Sequence, residues 1–137
     1  MPDNKIEEKK LIEKLQKRHD PEAERLKRFL NMPDLSRTQG SPIADLVKRI
    51  AGLPRFKKFD TLKVPEIVSY DISFDLFNFP TNHPARKPSD TYFVDKNHIL
   101  RTHTTVMWYY HLATPEVKKK IKKGEPVGAL SYGKVYR

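Results

Sequence analysis

The sequence predicts an α+β protein, with a helical arm at the N-terminus followed by strands that carry helices on their outer side. Three observations support this. Before residue 52, apolar residues recur at helical spacing behind capping signals. Runs rich in β-branched and aromatic residues begin only after residue 60. Among these, Thr91-Tyr92-Phe93-Val94 and Ile99-Leu100-Arg101-Thr102-His103-Thr104 flank the turn-forming Asp95-Lys96-Asn97-His98, which reads as an antiparallel hairpin.

Residues 5–18 are nearly all helix formers, with Ile6, Leu11, Ile12 and Leu15 on one stripe. Asp20-Pro21-Glu22 then supplies an N-cap, a proline for the first helical position and an early acidic residue. The helix it opens runs to about Leu30 and should bury Ala23, Leu26, Phe29 and Leu30. These two helices form an arm over residues 1–35, and Ser36 to Gly40 reads as a linker.

Ser41-Pro42 opens a third helix with Ile43, Leu46, Val47 and Ile50 on one face, closed by Gly52 and Pro54. Residues 62–68 predict a strand in which Pro65, unable to donate to a ladder, marks an edge, a bulge or an interface. Pleat alternation along residues 99–105 would put Arg101, His103 and Thr105 on one face. Residues 106–112 predict a helix packing Met107, Trp108 and Tyr110. Thr114-Pro115-Glu116 should cap another helix, with lysines gathered at its C-terminal end, where the dipole favours them. A last strand, Val127 to Arg137, would bring in Leu130, Tyr132 and Tyr136. The expected sheet joins residues 62–68, 91–94, 99–105 and 127–137, mainly antiparallel, with helices 42–51 and 115–123 outside it.

Charge is the strongest compositional signal. Among 137 residues, 27 Lys+Arg against 17 Asp+Glu give a net +10, which suits a polyanionic partner such as RNA or phosphate-bearing substrates. The absence of cysteine excludes disulfides, thiolate metal sites and cysteine nucleophiles, and fits a reducing cytoplasm. No apolar run approaches the ~20 residues of a membrane span. The charged start Met1-Pro2-Asp3-Asn4-Lys5 has no apolar segment of a secretory signal behind it. A soluble cytoplasmic protein is expected.

Several motifs reduce to ordinary structure. The stretch Gly128 to Val135 approaches a phosphate loop but has Val135 where that loop needs Ser or Thr, and it reads as a strand. His19, His83, His98, His103 and His111 form no i, i+4 pair, so no metal site is expected. The lysines of 118–123 read as a solvated helix face, and Trp108-Tyr109-Tyr110 as core. No nucleophile elbow accompanies the serines and histidines.

Four segments in order, within about fifty-five residues, carry a specific pattern. They are His83-Pro84-Ala85-Arg86, Asp90-Thr91-Tyr92-Phe93, Leu100-Arg101-Thr102-His103-Thr104-Thr105 and Gly133-Lys134-Val135-Tyr136-Arg137. They resemble the alpha subunits of phenylalanine–tRNA ligases, a family of class II aminoacyl-tRNA synthetases. Residues 41–67 look like class II motif 1, whose proline, here Pro65, lies at a subunit interface in the family. The stretch Asp75-Leu76-Phe77-Asn78-Phe79-Pro80 is similar to the signature leading into the active site. Resemblance covers about residues 41–137, so residues 36–137 are expected to be the first part of the class II catalytic domain.

The resemblance implies an enzyme that attaches phenylalanine to tRNA(Phe) through an adenylate, using ATP and Mg²⁺. It implies a beta-subunit partner and an alpha2beta2 assembly. By position, His103 and the hydroxyl residue Thr105 would hold the polar groups of phenylalanine. Ser89 stands where many members have a tryptophan that also contributes. Arg137 matches the motif 2 arginine on the α-phosphate of ATP, a role suited to its bidentate fork. In the family, motif 2 continues beyond this arginine and motif 3 follows it. The sequence is therefore expected to be the N-terminal part of a longer alpha subunit, inactive alone. The alternative is a synthetase-derived RNA- or protein-binding module without chemistry.

Overall fold

The computed structural model describes residues 4–137, with side chains from residue 7 onward. Met1-Pro2-Asp3 and the side chain of Ile6, placed above on the charged start and on the apolar stripe, lie outside the described residues. In chain order the helices are α1 (Asn4–Gln16), α2 (Pro21–Asn31), α3 (Pro42–Ala51), α4 (Tyr70–Phe74), α5 (Met107–Leu112) and α6 (Pro115–Lys122). The strands are β1 (Asp60–Leu62), β2 (Ile67–Ser69), β3 (His98–Leu100) and β4 (Ala129–Ser131). This is the α+β class expected. Among the described residues, no helix is long and apolar enough to cross a membrane.

The chain packs as two compact units. The first comprises residues up to Met32, Pro65–His103 and Val135–Arg137; the second comprises Pro33–Val64 and Thr104–Lys134.

In the first unit, the helical arm forms the core together with the strands. Leu11 and Leu15 of α1 and Ala23 and Leu26 of α2 are buried in one cluster with Ile67, Val94, Leu100 and Tyr136. Full burial of each leucine contributes about 1.5–3 kcal/mol. The capping signal at Asp20 works as its sequence suggests: its carboxylate accepts from the Ala23 N–H at 3.0 Å. β2 and β3 pair antiparallel, with Ile67 opposite Leu100 and Ser69 opposite His98. The predicted hairpin forms, but only as a Phe93–Ile99 bridge and a turn in which the Val94 N–H donates to the His98 carbonyl at 2.8 Å. Asp95 closes that turn by accepting from the Asn97 N–H.

In the second unit, β1 and β4 pair in parallel, with Thr61 opposite Leu130. Gly128, just before β4, runs so close to Phe59 that a Cβ there would lie 2.7 Å from the ring. The Ser41 hydroxyl accepts from the Ile43 N–H and caps α3. No residue of α3 is buried, and Ile43, Leu46 and Ile50 of its apolar face are exposed.

Several expectations need correcting. The strands form two separate two-stranded pieces, one of them parallel, and not one mainly antiparallel sheet. The strand expected over residues 62–68 is interrupted around Pro65, which has no N–H to offer a ladder, and its halves belong to different units. β3 ends at Leu100, after which Arg101 and Thr102 are both buried, so the alternation drawn through Thr105 does not exist. The last strand is confined to Ala129–Ser131. In α5 the buried side chain is His111, whereas Trp108 is 37% exposed. Thr114 does not cap α6, because its hydroxyl donates instead to the His111 carbonyl at 2.9 Å.

Candidate functional site

The first unit contains a cavity of about 490 Å³. Its apolar wall comes from Phe74, Phe79, Pro84 and Ala85. Its polar lining comes from His83, Ser89, Asp90, Thr102, His103 and Arg137.

The segment between α4 and β3 shapes this wall without regular structure of its own. A 3₁₀ turn over Asp75–Phe77 ends at Asn78, whose φ of 56° is left-handed, a conformation asparagine adopts more readily than most residues. That reversal lets the Phe79 N–H donate back to the Phe74 carbonyl at 3.1 Å. A second 3₁₀ turn, Pro84–Arg86, is capped by His83, whose Nδ1 accepts from the Ala85 N–H at 3.1 Å. Arg86 then ties the two turns together. Its guanidinium pairs with Asp75 at 2.7 Å and donates to the Pro80 carbonyl at 2.9 Å and to the Phe79 carbonyl. It also lies over the rings of Tyr70 and Phe74. Hydrogen bonds to the Tyr70 hydroxyl and the Asp75 carboxylate raise its pKa above the ordinary arginine value, so the charge is fixed. The buried Thr91 donates its hydroxyl to the Ala85 carbonyl, which fastens the Asp90-Thr91 pair to the same turn.

His103 is half-buried and held on three sides. Its Nε2 lies 3.1 Å from the Ser73 carbonyl, which can only accept, so Nε2 carries the proton and Nδ1 is an acceptor in the neutral ring. Phe79 stacks nearly parallel to it, at 3° and 6.4 Å, and Phe77 meets it edge-on at 5.5 Å. Burial lowers the His103 pKa, the Arg137 cation pushes the same way, and the Ser73 carbonyl opposes them in part. Arg137 is anchored through Nε to the Thr102 carbonyl at 3.3 Å.

Of the residues singled out from sequence, the cavity brings together Ser89, His103 and Arg137. Thr105 is not among its lining residues; it is exposed and belongs to the second unit. Phe79, Asp90 and Thr102 were not expected in the lining. All three lie in segments that carry the family resemblance, so the pattern pointed to the region but not to their direction. Only the left-handed turn at Asn78 explains why Phe79 faces His103.

Residues 28–137 match the family described as tRNA synthetases class II core domain (F), and the chain belongs to that family. More particularly, it is 35% identical over 105 residues to the phenylalanine–tRNA ligase alpha subunit of Aquifex aeolicus (strain VF5), covering 74% of this chain and 29% of that one. It is 30% identical over 110 residues to the protein of the same name from Francisella tularensis subsp. novicida (strain U112), covering 79% of this chain and 30% of that one. The chain thus spans about three-tenths of the length of these relatives.

Proposed function

We propose that this chain supplies the amino-acid and α-phosphate wall of a phenylalanine–tRNA ligase alpha subunit. The observation that carries this reading is the convergence of His103, Ser89 and Arg137 on one cavity with an aromatic wall. A cavity of about 490 Å³ is of the size that takes a small ligand. Neutral His103 accepts a hydrogen bond through Nδ1, which matches an ammonium donor, and Ser89 adds a hydroxyl. Thr105, outside this lining, contributes its hydroxyl to the substrate in the complete enzyme under the same proposal.

In the proposed reaction, a carboxylate oxygen of phenylalanine attacks the α-phosphorus of ATP and pyrophosphate leaves. A ribose hydroxyl of tRNA(Phe) then takes the acyl group and releases AMP. Arg137 stabilises the charge that rearranges on the α-phosphate, an electrostatic role that requires no covalent nucleophile. The residues fit a phosphate through Arg137. For Mg²⁺, no cluster of three or more His, Asp or Glu side chains is placed to hold it among the described residues. The proposed partners are tRNA(Phe) and a beta subunit in an alpha2beta2 assembly.

The test is phenylalanine-dependent pyrophosphate exchange by a complete alpha subunit carrying this segment, assembled with its beta subunit. Exchange that Arg137→Ala abolishes supports the reading, and exchange with another amino acid in place of phenylalanine overturns it. The +10 charge favours a second reading, an RNA-binding module, which predicts RNA binding without any exchange.

A further inference from the structure

The helical arm reaches the cavity's arginine through a short chain of contacts. Glu8 of α1 places Oε1 2.6 Å from the Glu66 N–H and 3.1 Å from the Ile67 N–H, accepting from both. These are backbone donors at the start of β2, on a strand that would otherwise present an open edge. Glu66 in turn accepts the Tyr136 hydroxyl on its carboxylate at 2.9 Å. The backbones follow the same row: the Arg101 N–H donates to the Glu66 carbonyl at 2.9 Å, and the Tyr136 N–H donates to the Arg101 carbonyl at 3.0 Å. Tyr136 is buried in the cluster built by Leu11, Leu15, Ala23 and Leu26 of the arm. The next residue is Arg137, at the cavity.

We propose that Glu8 is a positioning residue for Arg137, acting through Glu66 and Tyr136, so that the N-terminal arm is part of the nucleotide site's scaffold. This rests on the reading of Arg137 as a phosphate ligand. A carboxylate accepting two backbone N–H groups fixes both the position and the direction of that edge. The edge sets where Glu66 meets Tyr136, and Tyr136 sets the backbone from which the guanidinium extends. An arm serving only as surface cover would touch the strands through apolar contacts and would need no carboxylate on their N–H groups.

The experiment compares Glu8→Ala, Tyr136→Phe and the double variant in the complete synthetase, by pyrophosphate exchange. Each single variant should raise the KM for ATP or lower exchange by about three- to tenfold, the worth of one displaced hydrogen bond. The KM for phenylalanine should change less than about twofold, because His103 is held by the Ser73 carbonyl and by the rings of Phe77 and Phe79. The double variant should be no worse than the stronger single one, since both cut one path. Glu22→Ala, which removes a surface pair with Arg25 on α2, should leave exchange unchanged. Equal changes in both KM values, or lost stability with an unchanged KM for ATP, would overturn the proposal.

Hydrogen exchange of the Tyr136 amide in the 137-residue chain reads the same coupling without any activity. It should quicken in Glu8→Ala and stay as in the parent in Glu22→Ala. A quickened amide with no pyrophosphate exchange in the parent enzyme would defeat the proposed reaction and leave the coupling standing. An unchanged amide would defeat the coupling. If Glu8→Ala fails to fold, Tyr136→Phe, which removes one oxygen from a retained ring, carries both measurements.

Discussion

His103 and Arg137 line one cavity, and their surroundings prepare them for different work. Burial and the nearby guanidinium keep His103 neutral, with its pKa below the ordinary 6.5. Its unfolded form binds protons more readily, so the stability it contributes is complete above pH 6.5 and is lost as pH falls through the lower folded value. In the folded enzyme the ring protonates only at that lower value, so phenylalanine use should stay flat through pH 6.5 and weaken as pH falls through the lowered value, and His103→Gln should remove that dependence. His103→Ala should raise the KM for phenylalanine by an amount equivalent to about 1–3 kcal/mol, the loss of a buried hydrogen-bond partner. Thr105→Val, which keeps the shape and removes the hydroxyl, should cost no more than that. Arg137→Ala should instead depress adenylate formation strongly with little change in the thermal midpoint, because the exposed side chain supports chemistry more than packing. Activation kinetics that matched the parent in all three variants would end this assignment.

At the scale of the element, helices and strands differ in what holds them. α2 and α3 begin where a side-chain oxygen accepts from a backbone N–H two or three residues on. Ser41→Ala should lower unfolding stability by about 1 kcal/mol, measured by denaturant titration. Leu26→Ala, at a fully buried position, should cost about 2–5 kcal/mol by the same measurement. Asp20 is held at a pKa of about 2 by Arg18 and by the Ala23 N–H, below its ordinary 3.8. Its share of stability is thus complete above pH 3.8 and lost as pH falls through about 2. Such caps are legible in sequence because cap and donor lie within one turn. The strands were less legible: β1 pairs with residues 129–131 and β2 with residues 98–100, partners that no local pattern specifies.

For the whole molecule, the relation to its relatives sets the expectation. The matched part is 29–30% of their length, so the proposed catalysis is to be measured in a complete alpha subunit carrying this segment. The 137-residue chain without a partner subunit should give no phenylalanine-dependent pyrophosphate exchange, and exchange by that chain would refute the assignment. Its cavity is already formed within the first unit, so the proposed binding of phenylalanine can be tested by calorimetry on the chain, apart from exchange on the complete enzyme.

The sequence by itself determined the α+β class, the helices of the arm with their caps, and the family, because these rest on local spacing and on residue identities in fixed order. The family resemblance also pointed to His103, Thr105, Ser89 and Arg137, of which the cavity is lined by all but Thr105. Tertiary structure decided the rest. It split the strand at Pro65 between two units, and it ended β3 at Leu100 so that His103 and Thr105 no longer share a pleat. It also turned Phe79 onto His103 through the left-handed Asn78 and buried the arm beneath Tyr136. Each of these outcomes depends on contacts between residues distant in the chain, or on a backbone reversal that only those contacts hold in place.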